Sequence, residues 1–102
     1  MPIGLDYDPE LLADICRRFR VAKLELFGSR ARGDAQPESD VDVLVTFETG
    51  ADLGMLYFGF GPELESLLGR SVDVVERPVV ERDPNPYFRQ QVLNATEVLY
   101  AA

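Results

Sequence analysis

Apolar runs and polar breaks alternate along the chain, and the spacing within each run predicts its element. Asp8-Pro9-Glu10 opens a helix, with Asp as N-cap, Pro at the first helical position and an acid in the first turn. Leu11, Leu12, Ile15, Cys16 and Phe19 recur at helical spacing, and Arg17, Arg18 and Arg20 suit its C-terminal end. Lys23 to Phe27 alternates, with Leu24 and Leu26 on one face, and predicts a strand ending at Gly28. Ala35 to Ser39, with Pro37, reads as a turn or loop. Val41 to Phe47 predicts a second strand, its Val41, Val43, Val45 and Phe47 sharing one face.

The second half is less regular. Thr49 to Leu68 has helical spacing broken by Gly54, Gly59, Gly61 and Pro62. It predicts a helix around Asp52 to Phe58, a break, and a second segment from Pro62 to Leu68 stopped by Gly69. Ser71 to Glu76 predicts a third strand, with Val72 and Val74 on one face and Asp73 and Val75 on the other. Arg77 to Asn85 contains two prolines and reads as a loop. Asn85-Pro86 starts a last helix to about Asn94, and Val98 to Tyr100 adds a short edge strand. Helices separating strands imply an α/β or α+β sheet with the helices packed against it.

Length and charge narrow what such a sheet can do. The 102 residues, 46% of them hydrophobic, suit a single domain with one core. A net charge of −8, from 18 acids against 10 bases, argues against tracking a nucleic-acid backbone. The one cysteine, Cys16, excludes an intrachain disulfide and a cysteine zinc cluster, and reads as a small core residue. The absence of histidine excludes Ser-His-Asp and Cys-His catalysis and leaves carboxylates as candidate bases. No segment reads as a signal peptide or a membrane span, so a cytoplasmic location is expected.

The candidate chemistry lies in Gly28-Ser29-Arg30-Ala31-Arg32-Gly33 and, further on, Ser39-Asp40-Val41-Asp42. Asp is depleted from strands, so Asp40 and Asp42 entering an apolar run need a reason. At i and i+2 their side chains share a face, with Cα atoms about 6.7 Å apart. Two carboxylates at that spacing can converge on divalent cations about 3.5–4 Å apart, as in-line nucleotidyl transfer requires. Asp40 and Asp42 are candidate ligands for Mg²⁺, a hard cation that keeps phosphates in its shell. The Gly28-Ser29 turn at a strand end offers backbone N–H groups and a hydroxyl to phosphate oxygens. Arg32 could balance pyrophosphate charge.

Asp73 is the natural third carboxylate, in a strand too apolar to read as a surface edge. Beside the second strand it would face the metal and take the proton from an acceptor hydroxyl. Without cations, three close carboxylates would raise one another's pKa. Weaker signals fall away. Gly28-x₄-Gly33 is followed by Asp34 rather than the Lys-Ser/Thr of a phosphate loop, and Arg32-Gly33-Asp34 is read as a coincidental adhesion tripeptide. Gly59-Phe60-Gly61 is better read as a helix break than as a dinucleotide fingerprint. Met55, Leu56, Tyr57, Phe58 and Phe60 read mostly as core, or alternatively as a partner-facing patch.

Gly28-Ser29-x-Ala31-Arg32-Gly33, Ser39-Asp40-x-Asp42 and Val72-Asp73-Val74-Val75 resemble the minimal nucleotidyltransferases of the DNA polymerase β superfamily. The likeness covers about residues 8 to 100, including the closing Pro86-Tyr87 helix and the Val98-Leu99-Tyr100 end. It implies a polymerase β-like fold with a small mixed sheet. Asp40, Asp42 and Asp73 would be catalytic and metal-binding, with Gly28, Ser29, Arg32 and Ser39 binding nucleotide. It further implies two Mg²⁺ ions, ATP as substrate, and an antitoxin that transfers AMP to a tyrosine of a partner HEPN toxin. The glycine-interrupted segment from Gly54 to Pro62 departs from the family's steadier helix. Two other functions fit the residues: neutralising a toxin by stoichiometric binding alone, or modifying a small molecule such as an aminoglycoside. The small-molecule function lacks a second domain to enclose its acceptor.

Overall fold

The computed structural model describes residues 5–33 and 40–102, with Ser29 and Arg30 described by backbone alone. The loop expected at Ala35 to Ser39, Ser39 included, lies outside the described residues. Helix α1 spans Pro9–Arg18, and its Asp8 cap accepts from the Glu10 amide at 2.9 Å. Strand β1 (Val21–Phe27) leads through Gly28 into the single turn α2 (Ser29–Arg32). β2 (Val41–Phe47) is followed by a 3₁₀ helix (Gly54–Gly59), α3 (Phe60–Leu68) and β3 (Val72–Glu76). The chain closes with α4 (Arg77–Glu81), α5 (Pro86–Leu93) and β4 (Glu97–Ala101).

Among the described residues the strands form one mixed sheet in the order β3-β2-β1-β4. β1 is antiparallel to β2 and β4, while β2 and β3 are parallel, as the crossover through α3 requires. The back face carries the larger core. Leu12, Ile15 and Cys16 of α1, its C-cap Phe19, and Phe60, Leu64 and Leu68 of α3 pack on Val21, Leu24, Leu26, Val41, Val43 and Val45. A register shift between Val21 and Lys23 lets Val21 join Leu24 and Leu26 on this face. Phe19 and Phe60 meet with ring centroids 5.3 Å apart, and burial pushes the Cys16 thiol up to about 12. Cys16 is therefore an inert core thiol.

The front face is only part-covered, by Leu44, Val80 and Val92 with Phe27, Val75 and Leu93 packed against them. Glu25 lies on this face and is 2% exposed. Its Oε1 accepts from Arg77 Nη1 at 2.8 Å, while Lys23 Nζ stands 3.8 Å from Oε2. Arg77 Nε also donates to Glu81 at 3.0 Å, so one guanidinium ties α4 to the sheet and braces its own helix. The exposed Arg18–Glu63 pair links α1 to α3 at 2.8 Å, but solvent screens such a surface pair and it adds little to stability.

Several elements depart from the sequence pattern, each for a tertiary reason. Arg77 to Asn85 is not all loop, because Pro78 suits a first helical turn and Val80 is drawn into the front core. A helix does form around Asp52 to Phe58, but as 3₁₀ rather than α. Gly54 has φ +56, the backbone winds as a 3₁₀ helix, and α3 follows directly from Phe60 without an intervening coil. Nor are the apolar residues there mostly core: Met55, Leu56 and Phe58 are exposed, while Phe60 is buried. Tyr57 is the pin, 5.9 Å from Phe47 between ring centroids, and its phenol is pushed up by burial and by Glu76, which accepts its hydrogen bond. β3 lies at a sheet edge after all. It can be apolar there because α3 and α4 flank it, and the Glu65 carboxylate accepts from the Val72 amide at 3.0 Å. Among the described residues no helix is long and apolar enough to cross a membrane.

Removing the partner of a buried charge costs more than the pair contributes. Arg77→Met should destabilise the fold by about 3 kcal/mol, the low end of that range because Lys23 still faces Glu25. Urea denaturation checks this, and an unchanged midpoint would show that water already solvates Glu25.

Candidate active site

Because β1 runs against β2 while β3 runs with it, the end of β1 and the starts of β2 and β3 meet at one sheet edge. Val41 N donates to Ser71 O at 2.9 Å there, fixing the two strand starts together. Phe27 pairs with Asp42, and Asp42 pairs in register with Asp73. In-register residues of neighbouring strands point to the same face from backbones about 4.8 Å apart. Asp42 and Asp73 thus emerge side by side on the front face, beyond the end of the Leu44–Val80–Val92 core.

Gly28 makes this edge possible in two ways. Its φ of +78 is left-handed, and it turns the chain from β1 into α2, where Arg32 N donates to Gly28 O at 3.1 Å. A Cβ at this position would run into Asp42 Oδ2 and would lie 3.3 Å from the carboxyl carbon. The close approach that the sequence reserves for a phosphate is therefore also used by a catalytic candidate within the chain.

Asp42 lies within the field of the other two acids. Burial, then the Asp73 and Asp40 carboxylates, push the Asp42 carboxyl above its usual range, and the Arg32 guanidinium opposes them. Asp40, Asp42, Asp73, Gly28 and Arg32 therefore occupy one neighbourhood. The backbone of Ser29 opens α2 beside them. Among the described residues no three acidic, histidine or cysteine side chains form a ready-made metal cage. That is compatible with Mg²⁺, which binds through one or two carboxylates and takes its remaining oxygens from water and substrate phosphates. The all-oxygen donor set and the repulsion at Asp42 both fit a divalent cation.

A feature not anticipated from the motifs is a cleft of about 480 Å³ facing Arg32, lined also by Tyr87, Gln90, Gln91, Asn94 and Ala95. The signal was present in the sequence as a polar stripe on α5, spaced i, i+3, i+4 and i+7.

Two substitutions test the site. Gly28→Ala adds left-handed strain and a collision with Asp42, and should cost about 2 kcal/mol or more in chemical denaturation. Asp42→Asn should do the opposite in metal-free buffer. Its carboxyl is raised in the fold, so the charged form opposes folding above the folded pKa, and the penalty disappears as pH falls and the group protonates. The variant should melt higher than wild type near pH 7, and the difference should shrink toward pH 3. Added Mg²⁺ should raise the wild-type melting temperature more than that of the variant. A variant that melts lower at neutral pH would make Asp42 a structural residue.

The nucleotidyltransferase domain family matches residues 9–99. Protein adenylyltransferase MntA of Thermococcus cleftensis is 42% identical over 62 residues, which are 61% of this chain and 62% of that protein. A solved structure described provisionally as a minimal nucleotidyltransferase is 36% identical with a TM-score of 0.65, over 87% of this chain and 86% of the other. The fold also recurs in the complex of a tri-AMPylated Shewanella oneidensis HEPN toxin with its MNT antitoxin, at 21% identity and a TM-score of 0.57, over 92% of this chain and 70% of the other. With this site at the sheet edge and a match over almost its whole length, the chain belongs to the nucleotidyltransferase domain family.

Proposed function

We propose that this chain is a protein adenylyltransferase that moves AMP from ATP, with Mg²⁺, to a tyrosine hydroxyl of a HEPN toxin, and so acts as an antitoxin. The observation that carries the reading is the in-register pair Asp42–Asp73 beside the Gly28 turn. The Thermococcus relative's name supports protein as the acceptor class, and the fold shared with the toxin complex is compatible with a HEPN partner.

Gly28 and Ser29 take the β- and γ-phosphates at the head of α2, Ser39 adds a further hydroxyl, and Arg32 balances the charge that grows on pyrophosphate. Asp40, Asp42 and Asp73 would hold the two Mg²⁺ ions, which neutralise the triphosphate and lower the pKa of the acceptor hydroxyl. Asp73 accepts the hydroxyl proton. The freed oxygen bonds the α-phosphorus as the bond to the α,β-bridging oxygen breaks, and pyrophosphate leaves with that electron pair. An acceptor carried on a docked protein partner is oriented by that partner. The −8 charge favours encounter with a basic protein and disfavours nucleic acid.

Exposed Met55, Leu56 and Phe58 favour a second reading, in which stoichiometric contact alone neutralises the toxin. Intact mass of the toxin after incubation with the protein, ATP and Mg²⁺ separates the two. Added AMP units that disappear with Asp73→Asn support transfer, whereas full neutralisation by Asp73→Asn without a mass change supports binding. Ser29→Ala should weaken ATP binding by about 1–3 kcal/mol, the value of a hydrogen bond to a charged group. Unchanged affinity by calorimetry would remove Ser29 from the phosphate site.

A further inference from the structure

The cleft between α2 and α5 has a chemistry that the phosphate site does not use. Tyr87, Gln90, Gln91 and Asn94 form one stripe of α5, turned away from the Val92 side that enters the front core. Tyr87 is 69% exposed, unusual for an aromatic residue on an otherwise polar stripe. At about 480 Å³ the cleft is within the size range of small-ligand sites. Charge divides it. Arg32 is the only charged residue among its described lining, and Arg32 is also the group whose field reaches Asp42. The far wall offers a ring and three neutral amides. Phosphates therefore match the Arg32 end, and a flat neutral heterocycle matches the α5 end.

We propose that this cleft seats the nucleoside of the nucleotide substrate, with Tyr87 stacked on a purine base and the amides of Gln90, Gln91 and Asn94 reading its edge. The inference rests on the adenylyl-transfer reading and makes α5 the specificity element of that site. An amide presents one donor and one acceptor in a plane, the pairing that adenine N6–H and N7 require. An aromatic face binds any base, so Tyr87 provides affinity and the amides provide choice.

Calorimetry with AMP-PNP and with tripolyphosphate, both in Mg²⁺, tests this on wild type, Tyr87→Ala, Tyr87→Phe and the double change Gln90→Ala, Gln91→Ala. Tyr87 is exposed, so its truncation leaves the fold intact, which thermal melting verifies. Tyr87→Ala should weaken AMP-PNP by about 5- to 100-fold, Tyr87→Phe should restore it, and neither should alter tripolyphosphate affinity. The double change should narrow the preference of AMP-PNP over a cytidine analogue. Unchanged AMP-PNP affinity in Tyr87→Ala, or equal wild-type affinity for the two probes, overturns the cleft and leaves the adenylyl-transfer reading standing. Failure of wild type to bind AMP-PNP at all overturns both. Loss of toxin binding by Tyr87→Ala with AMP-PNP affinity kept assigns the cleft to the protein partner instead.

Discussion

Asp42 is the constraint around which the molecule is arranged. Its carboxylate is half-buried, lies against the backbone of Gly28, and sits beside Asp73 and within the field of Asp40. In isolation that arrangement is unfavourable, since burial and like charge both oppose ionisation. It persists because the strands bearing the acids are fixed from behind. Val41 and Val43 flank Asp42 in sequence and are fully buried against α1 and α3. A change of register that relieved the acids would turn those valines out of the core.

The two faces of the sheet therefore do different work. The back face buries a continuous apolar layer, and alternation along β2 then commits Asp42 to the opposite side. The front face is left part-open, and what closes it is mostly the segment after β3. Arg77 reaches Glu25 in the middle of β1, and Val80 and Val92 fill the space over Leu44. Val80 of α4 and Val92 of α5 thus cover Leu44, two residues along β2 from Asp42. α5 also forms one wall of the cleft that faces Arg32.

The parts of this design that depend on local periodicity are legible in the sequence. Asp40 and Asp42 stand out because acids interrupt an apolar strand, and Gly28 because it ends one. Pairing Asp73 with Asp42 follows once β3 lies beside β2, and the alternation of Val72, Asp73 and Val74 already gives the correct faces. What depends on distant partners is not legible. Glu25 between Leu24 and Leu26 reads as an outward polar residue, and only the arrival of Arg77 from α4 buries it. The same arrival makes a helix of a proline-containing stretch that reads as loop. The segment from Gly54 to Gly59 has enough apolar residues for a core helix, yet its glycine backbone winds as 3₁₀ and only Tyr57 turns inward. The edge position of β3 was hidden for a related reason. Its valines look central because helices cover both faces, while its outer backbone edge is partly satisfied by Glu65.

Charge resolves into a consistent picture on the proposed function. A protein with a net charge of −8 is a poor receptor for a triphosphate, and its acidic cluster makes the local field worse. On that reading, cations would convert the same carboxylates from a repulsive site into an attractive one, and metal and nucleotide would bind as linked partners. The acids that resist each other in the free protein would then be a source of affinity for Mg²⁺, because binding would relieve repulsion that the back face prevents the chain from relieving by itself. Arg32, whose charge acts on Asp42 and which lines the neighbouring cleft, would balance the charge that grows on pyrophosphate. On the proposed function, the stability given up at Asp42 and a selectivity for metal-bound nucleotide would be two consequences of one placement.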